Sequence, residues 1–478
     1  MAIIYASAPG TGSGGAGTVG DPYTGIHQAM KACSAGDSLY MVTGVYTQAM
    51  SWNSLPDLGG WPVGTGGSPI TVRPVTFTAD TTRGIPGGTS SVIWRTGGGS
   101  AVNMASVAAF WNFYGIDFDA TNLSVGTLTY ISHNGGVNNI RFRNCTFSNR
   151  GITSATPSAP SNYLIQHLEY SNNVASTALM NNTVEYCEFT NAASYVSHDI
   201  YCRSSGNIFQ NNDFHANHQR GAIQFFASNG AGYAINDNIV RFNYFRDYPD
   251  IGSNQAHVLF SLNCNRNLVY CNEHRDSTGR AAIDFRGGSG VSGAAANNAA
   301  YYNTVHNGAK GIAITDSGFS TTKIKNNIAY ACGASAADNY VDNGTSTDAL
   351  TNGFDGTDPK FADAAGDDYT LGATSPYLSG GTALGSPYDD ADFLGVVRDN
   401  RSYGAYEDDL GTTPVPPINV YPNPAGYTIT KNVATVLTGL SVTDNNSPSA
   451  LLTECWLSLE GTNATWTAVD TSGGATSN

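Results

Sequence analysis

The feature that most constrains this chain is a spacing rather than a motif. "NIVRFNYF" (238–245) has looser copies upstream and downstream. Each copy opens on an apolar residue: Phe113, Phe142, Val184, Phe209, Val240, Val269, Ala300 and Ile324, separated by 29, 42, 25, 31, 29, 31 and 24 residues. Three positions later stand Ile116, Cys145, Cys187, Asn212, Asn243, Asn272, Asn303 and Asn327. Five positions later stand Phe118, Phe147, Phe189, Phe214, Phe245, His274, Val305 and Ala329. Repeats of this length are stacked supersecondary units, and unequal steps mean a fixed core element with variable loops. A second set of apolar pairs follows the middle copies: Ile200/Cys202, Ile223/Phe225, Val258/Phe260, Ile283/Phe285 and Ile312/Ile314. Their alternation is that of a half-buried strand. Like therefore stacks on like, in parallel, as coils about 4.8 Å apart. The spacing predicts an asparagine ladder, because a carboxamide both donates and accepts, beside an interior stack of aromatic rings.

Composition agrees with a turn-rich, all-β chain: 55 glycines and only 12% charged residues. At 478 residues the chain exceeds one ordinary compact domain. A net charge of −15 excludes nucleic acid as the expected partner and disfavours a polyanion unless a local basic patch overrides it. No run of about 18 apolar residues is present, so no membrane partner is expected. The opening "MAIIYASAPG" lacks a basic region and an apolar core, which predicts release without a signal, as from a virus particle, or removal of a leader. Eight scattered cysteines with no C-x-x-C pair predict buried free thiols, with no metal site and no cofactor.

A phenylalanine stack beside an asparagine ladder resembles the right-handed parallel β-helix of the pectin-lyase-like superfamily. The entry is similar too: a Gly-rich lead, "DPYTGIHQAMKAC" as a capping helix, then "AGDSLYMVTGVYT" opening the first coil. "DPKFADAAGDDYTLGATSPYLSGG" through "RDNRSYGAYE" resembles the usual closing segment. The expected organisation is an N-terminal cap and first coils (1–100), a right-handed parallel β-helix (101–350), a closing segment (351–410), a Pro-rich linker (411–426) and a small β-sandwich-like domain (427–478) similar to a bacterial cadherin-like domain. The resemblance implies fold but little function, since the superfamily holds lyases, hydrolases, epimerases and non-enzymatic viral spikes.

Strand parity assigns outward positions on the second strand set to Asp199, Tyr201, Arg203, Gln224, Phe226, His257, Asp284 and Arg286, with Arg220 and Arg280 at the strand approaches. Asp284, Arg286 and His257 are the candidate catalytic residues. Asp199, Tyr201, Arg203, Arg220, Gln224 and Phe226 are the candidate glycan-binding row. A glycosidase needs two carboxylates about 5–9.5 Å apart. Asp199 and Asp284, three rungs apart, exceed that at about 14 Å, and Asp316 falls in a turn of unknown direction. A lyase needs a base and a cation for the neighbouring carboxylate, and the family's paired-Asp and Gly-His-Gly strings are absent. His215, His218 and His274 fall on different coils, His274 within the aromatic column.

The leading expectation is a surface protein of a bacteriophage virion, such as a tailspike, fibre or head decoration, trimeric and binding host polysaccharide or other virion proteins. The alternatives are an extracellular polysaccharide lyase or glycoside hydrolase, and a bacterial surface adhesin.

Overall fold

The computed structural model describes residues 2–8, 14–47, 50–51, 62–77, 91–95, 102–105, 110–119, 126–133, 139–148, 165–172, 179–227, 234–246, 256–261, 263–277, 279–287 and 294–407. The linker at 411–426 and the β-sandwich-like domain at 427–478 lie outside them.

Three parallel sheets wind round one core. The first runs from Ile3–Ser7 through Trp111–Tyr114, Ile208–Gln210 and Ile239–Arg241 to Asp348–Leu350. The other two are joined through the long strands Glu188–Arg203 and Asp213–Phe225. The second row includes Thr146–Ser148, Tyr244–Arg246, Glu273–Arg275 and Thr304–His306. The third includes Ala256–Phe260, Ala281–Phe285, Lys310–Ile314 and Tyr340–Asp342. Each coil contributes one strand to each sheet, in register with the coil before it; Val240 pairs with Val269, and Val269 with Ala300. The chain is an all-β parallel β-helix.

A two-residue turn joins the first sheet to the second. Its leading residue is left-handed in Asn211, Phe242, Cys271, Tyr302 and Asn326, with φ between 51° and 59°. The next residue is the ladder asparagine. Each Nδ2 donates to the next Oδ1 at 2.9–3.0 Å, from Asn212 through Asn243, Asn272, Asn303 and Asn327 to Asn352. Each Oδ1 also accepts the backbone N–H of the previous rung, as Asn272 does from Asn243 at 3.0 Å. A second ladder was not anticipated. It runs Asn182, Asn207, Asn238, Asn267, Asn298 at 2.9–3.1 Å, at the turn that enters the first sheet. Here too the residue before the asparagine is left-handed, in Asn181, Asp237, Arg266 and Asn297. A left-handed turn strips the backbone of its ladder partners, and the following carboxamide replaces them.

Inside, the aromatic column stacks face to face. Phe147, Phe189, Phe214, Phe245 and His274 follow at centroid spacings of 4.6–4.8 Å and interplanar angles of 9° or less. Such pairs contribute about 0.5–1.5 kcal/mol each beyond their burial. The seven described cysteines are free and buried; burial pushes the Cys202 and Cys264 thiols up to about 12.

His274 is fully buried, and loss of hydration holds its pKa down to about 3. The unfolded ring titrates near 6.5. Between those values the unfolded chain binds the extra proton, so stability is full above about pH 6.5 and falls by up to about 1.4 kcal/mol per unit below it. His274→Phe, which continues the phenylalanine column, is expected to flatten this slope. The substitution also removes the 3.2 Å contact with His257 Nδ1, costing about 1 kcal/mol at neutral pH. The stability curves of the two proteins therefore cross in mild acid. Parallel curves in urea titrations between pH 4 and 8 would contradict this.

The closing segment folds back along the side of the coils. Tyr388 packs edge-on against Tyr270 and Tyr301, and Tyr302 donates to Asp389 at 2.7 Å. Arg398, wholly buried, lies 4.0 Å over the Tyr302 ring and donates to the Gly404 and Ala405 carbonyls.

A candidate glycan-binding and catalytic face

The outer face of the third sheet gathers most of the residues that parity singles out. One column reads Tyr201, Gln224, Leu259, Asp284, Ala313, each paired in register with the next. Two residues further along each strand the outward positions are Arg203, Phe226, Ser261, Arg286 and Thr315, held by backbone bonds that continue the ladder.

The two ends of this face differ. At one end the Tyr201 and Phe226 rings stack at 6.0 Å, with His198 against the far side of Tyr201 at 5.3 Å. Arg203 and Gln224 sit half-buried beside them. At the other end the Asp284 carboxylate accepts from Thr315 Oγ1 at 3.1 Å and lies 3.9 Å from Arg280 Nη1. Burial raises its pKa; the Thr315 hydrogen bond and the positive charges of Arg280, Arg286 and Lys310 pull it back. Burial and the neighbouring Arg286 in turn lower the Arg280 pKa, against the pull of Asp284. One carboxylate thus pairs loosely with Arg280 and feels the charges of Arg286 and Lys310. Three strand steps, about 14 Å, separate Asp284 from Tyr201, and two, about 10 Å, separate Arg286 from Phe226.

Two residues expected on this face are not on it. His257 is 1% exposed and its ring stacks on Phe245 and His274 within the coil, 5.5 and 5.3 Å between centroids. Asp199 is 0% exposed and occupies the same column, which continues through Ala222 and Ala282 of the core. Burial does not alternate along these strands: Ala256–Phe260 and Ala281–Phe285 are buried at every position, and Asp284 itself is 1% exposed. The Arg220 side chain lies outside the described residues. Asp316 turns away: its Oδ1 accepts from Gly318 N at 2.8 Å and its Oδ2 occupies the space where a Cβ on Gly287 would stand. It closes a turn that lies against Gly287, one rung from its own strand.

Lys310 and Thr315 escaped the sequence reading, although each sits where the outward column continues by one rung from Ala281 and Arg286. His215 was set aside as isolated, yet on the second sheet its Nε2 is 2.8 Å from Glu188 Oε1. Burial opposes its charge, but Glu188 and Asp213 outweigh that and raise its pKa. Beside it, buried Asp213 takes two hydrogen bonds from Arg246. Among the described residues no cluster of three or more His, Cys, Asp or Glu side chains is arranged to hold a metal ion.

No family model and no curated protein matches the sequence. Solved structures do. Pectate lyase Pel9A superposes with a TM-score of 0.54 at 13% identity, over 86% of this chain and 97% of that one. Looser likenesses include XylC in complex with xylose, at a TM-score of 0.43 and 10% identity over 84% and 98% of the two chains. A mannuronic acid specific polysaccharide family 6 lyase from human gut microbiota gives 0.41 and 15% over 73% and 67%. The fold is therefore a right-handed parallel β-helix, similar to that of pectate lyase Pel9A.

Proposed function

We propose that this protein binds an acidic polysaccharide along the outer face of the third sheet and cleaves it by β-elimination. The observation that carries the reading is the grouping of half-buried Arg280, Arg286 and Lys310 about one buried carboxylate. A uronate carboxylate placed among three cations is neutralised, and neutralisation acidifies the adjacent C–H. Solvent takes that proton, the electron pair forms the C=C bond as the C–O bond to the next sugar breaks, and the leaving oxygen takes a proton from water. Hydrolysis would instead pair Asp284 with a second carboxylate within about 9.5 Å, for which Asp316, already accepting from Gly318 N–H, is the candidate. The stacked Tyr201 and Phe226 present an aromatic edge to a sugar further along the chain, with Arg203 and Gln224 as polar partners. Local positive charge overrides the net charge of −15.

The fold likeness to a pectate lyase agrees with this class and favours the catalytic alternative over the virion reading. The virion setting and the trimer remain separate proposals, read by the native mass of the protein in solution.

The test is incubation with polygalacturonate, alginate and neutral glucans. Elimination gives an unsaturated product with its own ultraviolet absorbance; hydrolysis gives new reducing ends without it. Absorbance on a uronate polymer is the expected result. Reducing ends without absorbance, or cleavage of neutral glucans only, would overturn the reading.

A further inference from the structure

The outer face of the first sheet carries a second row of rings and cations, far along the coil stack from the cluster at Asp284. On four successive strands near the N-terminus the residues at one register position are Tyr5, Tyr40, Arg73 and Tyr114. Tyr5 and Tyr40 stack at 5.7 Å with 28° between their planes. The Arg73 guanidinium lies over both neighbours, 5.3 Å from the Tyr40 ring centre and 5.5 Å from that of Tyr114. Phe77 braces Tyr114 edge-on at 5.0 Å, and it fits because Gly115 has no Cβ: one there would stand 2.6 Å from the Phe77 ring.

Charge sets this row apart. One rung on, Arg143 lies over Tyr186 but has Glu185 at 3.6 Å, and Arg141 bonds the same carboxylate at 2.7 Å. Those cations are compensated. Arg73 has no ion pair or hydrogen bond to any described residue, and its Nε is buried without a partner. Two rings hold its plane fixed, so its remaining N–H groups are presented without the usual loss of side-chain freedom. A planar cation set among ring faces at strand spacing suits a ligand that carries carboxylates and pyranose faces in alternation. A protein partner would be met here by an apolar patch; this row is instead amphipathic and half-exposed.

We infer that Tyr5, Tyr40, Arg73 and Tyr114 form a second, non-catalytic binding strip for an anionic polysaccharide, distinct from the face that bears Asp284. The inference rests on the acidic-polysaccharide reading above for its ligand class. The strip holds the polymer while the catalytic face works on another stretch of it.

The experiment measures polygalacturonate binding by calorimetry, with dextran as the neutral control, in protein carrying Arg286→Ala. That background is expected to keep binding polygalacturonate and to ignore dextran. Adding Arg73→Ala is expected to weaken binding at least about tenfold; Arg73→Lys, which keeps charge but not the planar fork, falls between. Equal binding with and without Arg73→Ala overturns the strip, even if the wild-type protein cleaves the polymer. Binding lost to Arg73→Ala in a protein that cleaves nothing upholds the strip and removes the enzymatic reading. Self-association in sedimentation that Arg73→Ala abolishes would make the row a contact between copies, and would also overturn it.

Discussion

Asn272→Ala is expected to lower the unfolding free energy by about 4 kcal/mol, the largest loss from any single ladder position. The carboxamide donates to Val240 O at 3.0 Å, Tyr270 O at 3.1 Å and Asn303 Oδ1 at 3.0 Å, and accepts from both the backbone N–H and Nδ2 of Asn243. Alanine leaves the Asn243 N–H and the Val240 carbonyl stranded at 0% exposure. A buried group deprived of its partner costs about 1–3 kcal/mol, and the lost packing adds to it. No water reaches the site to compensate, because the rungs above and below are equally buried. Asn352→Ala is the control. That asparagine ends the ladder and is half-exposed, so water replaces its partners and the loss stays within about 1 kcal/mol. Denaturant titration of the two variants reads the difference. Equal losses would mean that the ladder is decoration on a core held by the aromatic column alone.

The ladder was legible in the sequence because its geometry permits no alternative. A residue that must bridge two coils, fit a fixed turn and leave no polar atom unsatisfied is asparagine again and again. The second ladder was equally legible two positions before each opening apolar residue, at Asn182, Asn207, Asn238, Asn267 and Asn298. It went unread because those residues fall in "NN"-type stretches that look like ordinary turns. The aromatic column could be read for the same reason as the first ladder: each ring must match the ring below. Parity, by contrast, orders columns and says little about burial. It grouped half-buried Tyr201, Gln224 and Arg286 with Asp284, His257 and Asp199, which are at most 1% exposed. No local pattern in "QAHVLF" announces that burial. The cluster at Asp284 was half visible for a different reason. Its members come from three places, Arg280, Asp284–Arg286 and Lys310–Thr315, and only the register between coils brings them together. That Arg73 has no ion-pair partner among the described residues is likewise invisible in sequence, since it depends on which carboxylates the stacking of coils brings near.

The second large effect is expected at Asp284. Asp284→Asn keeps the volume and the Thr315 contact but removes the one negative charge that Arg280, Arg286 and Lys310 share. Three like charges then repel without a centre. Their side chains splay towards solvent, and a displacement of about 1 Å at a reacting site costs about 100-fold in turnover. Arg286→Ala is expected to lose turnover as well and to raise KM, because it removes a cation that would face the uronate in both ground and transition states. Tyr201→Ala should raise KM alone, since its ring touches sugar remote from the bond broken. The pH profile separates a positioning carboxylate from a merely structural one. Asp284 titrates above the ordinary carboxylate range because it is buried, so turnover in the wild type should fall in mild acid as it takes up a proton and releases the cations. Asp284→Asn should lose that acid limb and stay low at every pH. Matched thermal unfolding of the variants at neutral pH would exclude a folding defect. Wild-type turnover in Asp284→Asn, or an unchanged acid limb, would move the chemistry off this face. The Glu188–His215 pair on the second sheet would then be the next place to substitute, since its imidazole is already oriented by a carboxylate at 2.8 Å.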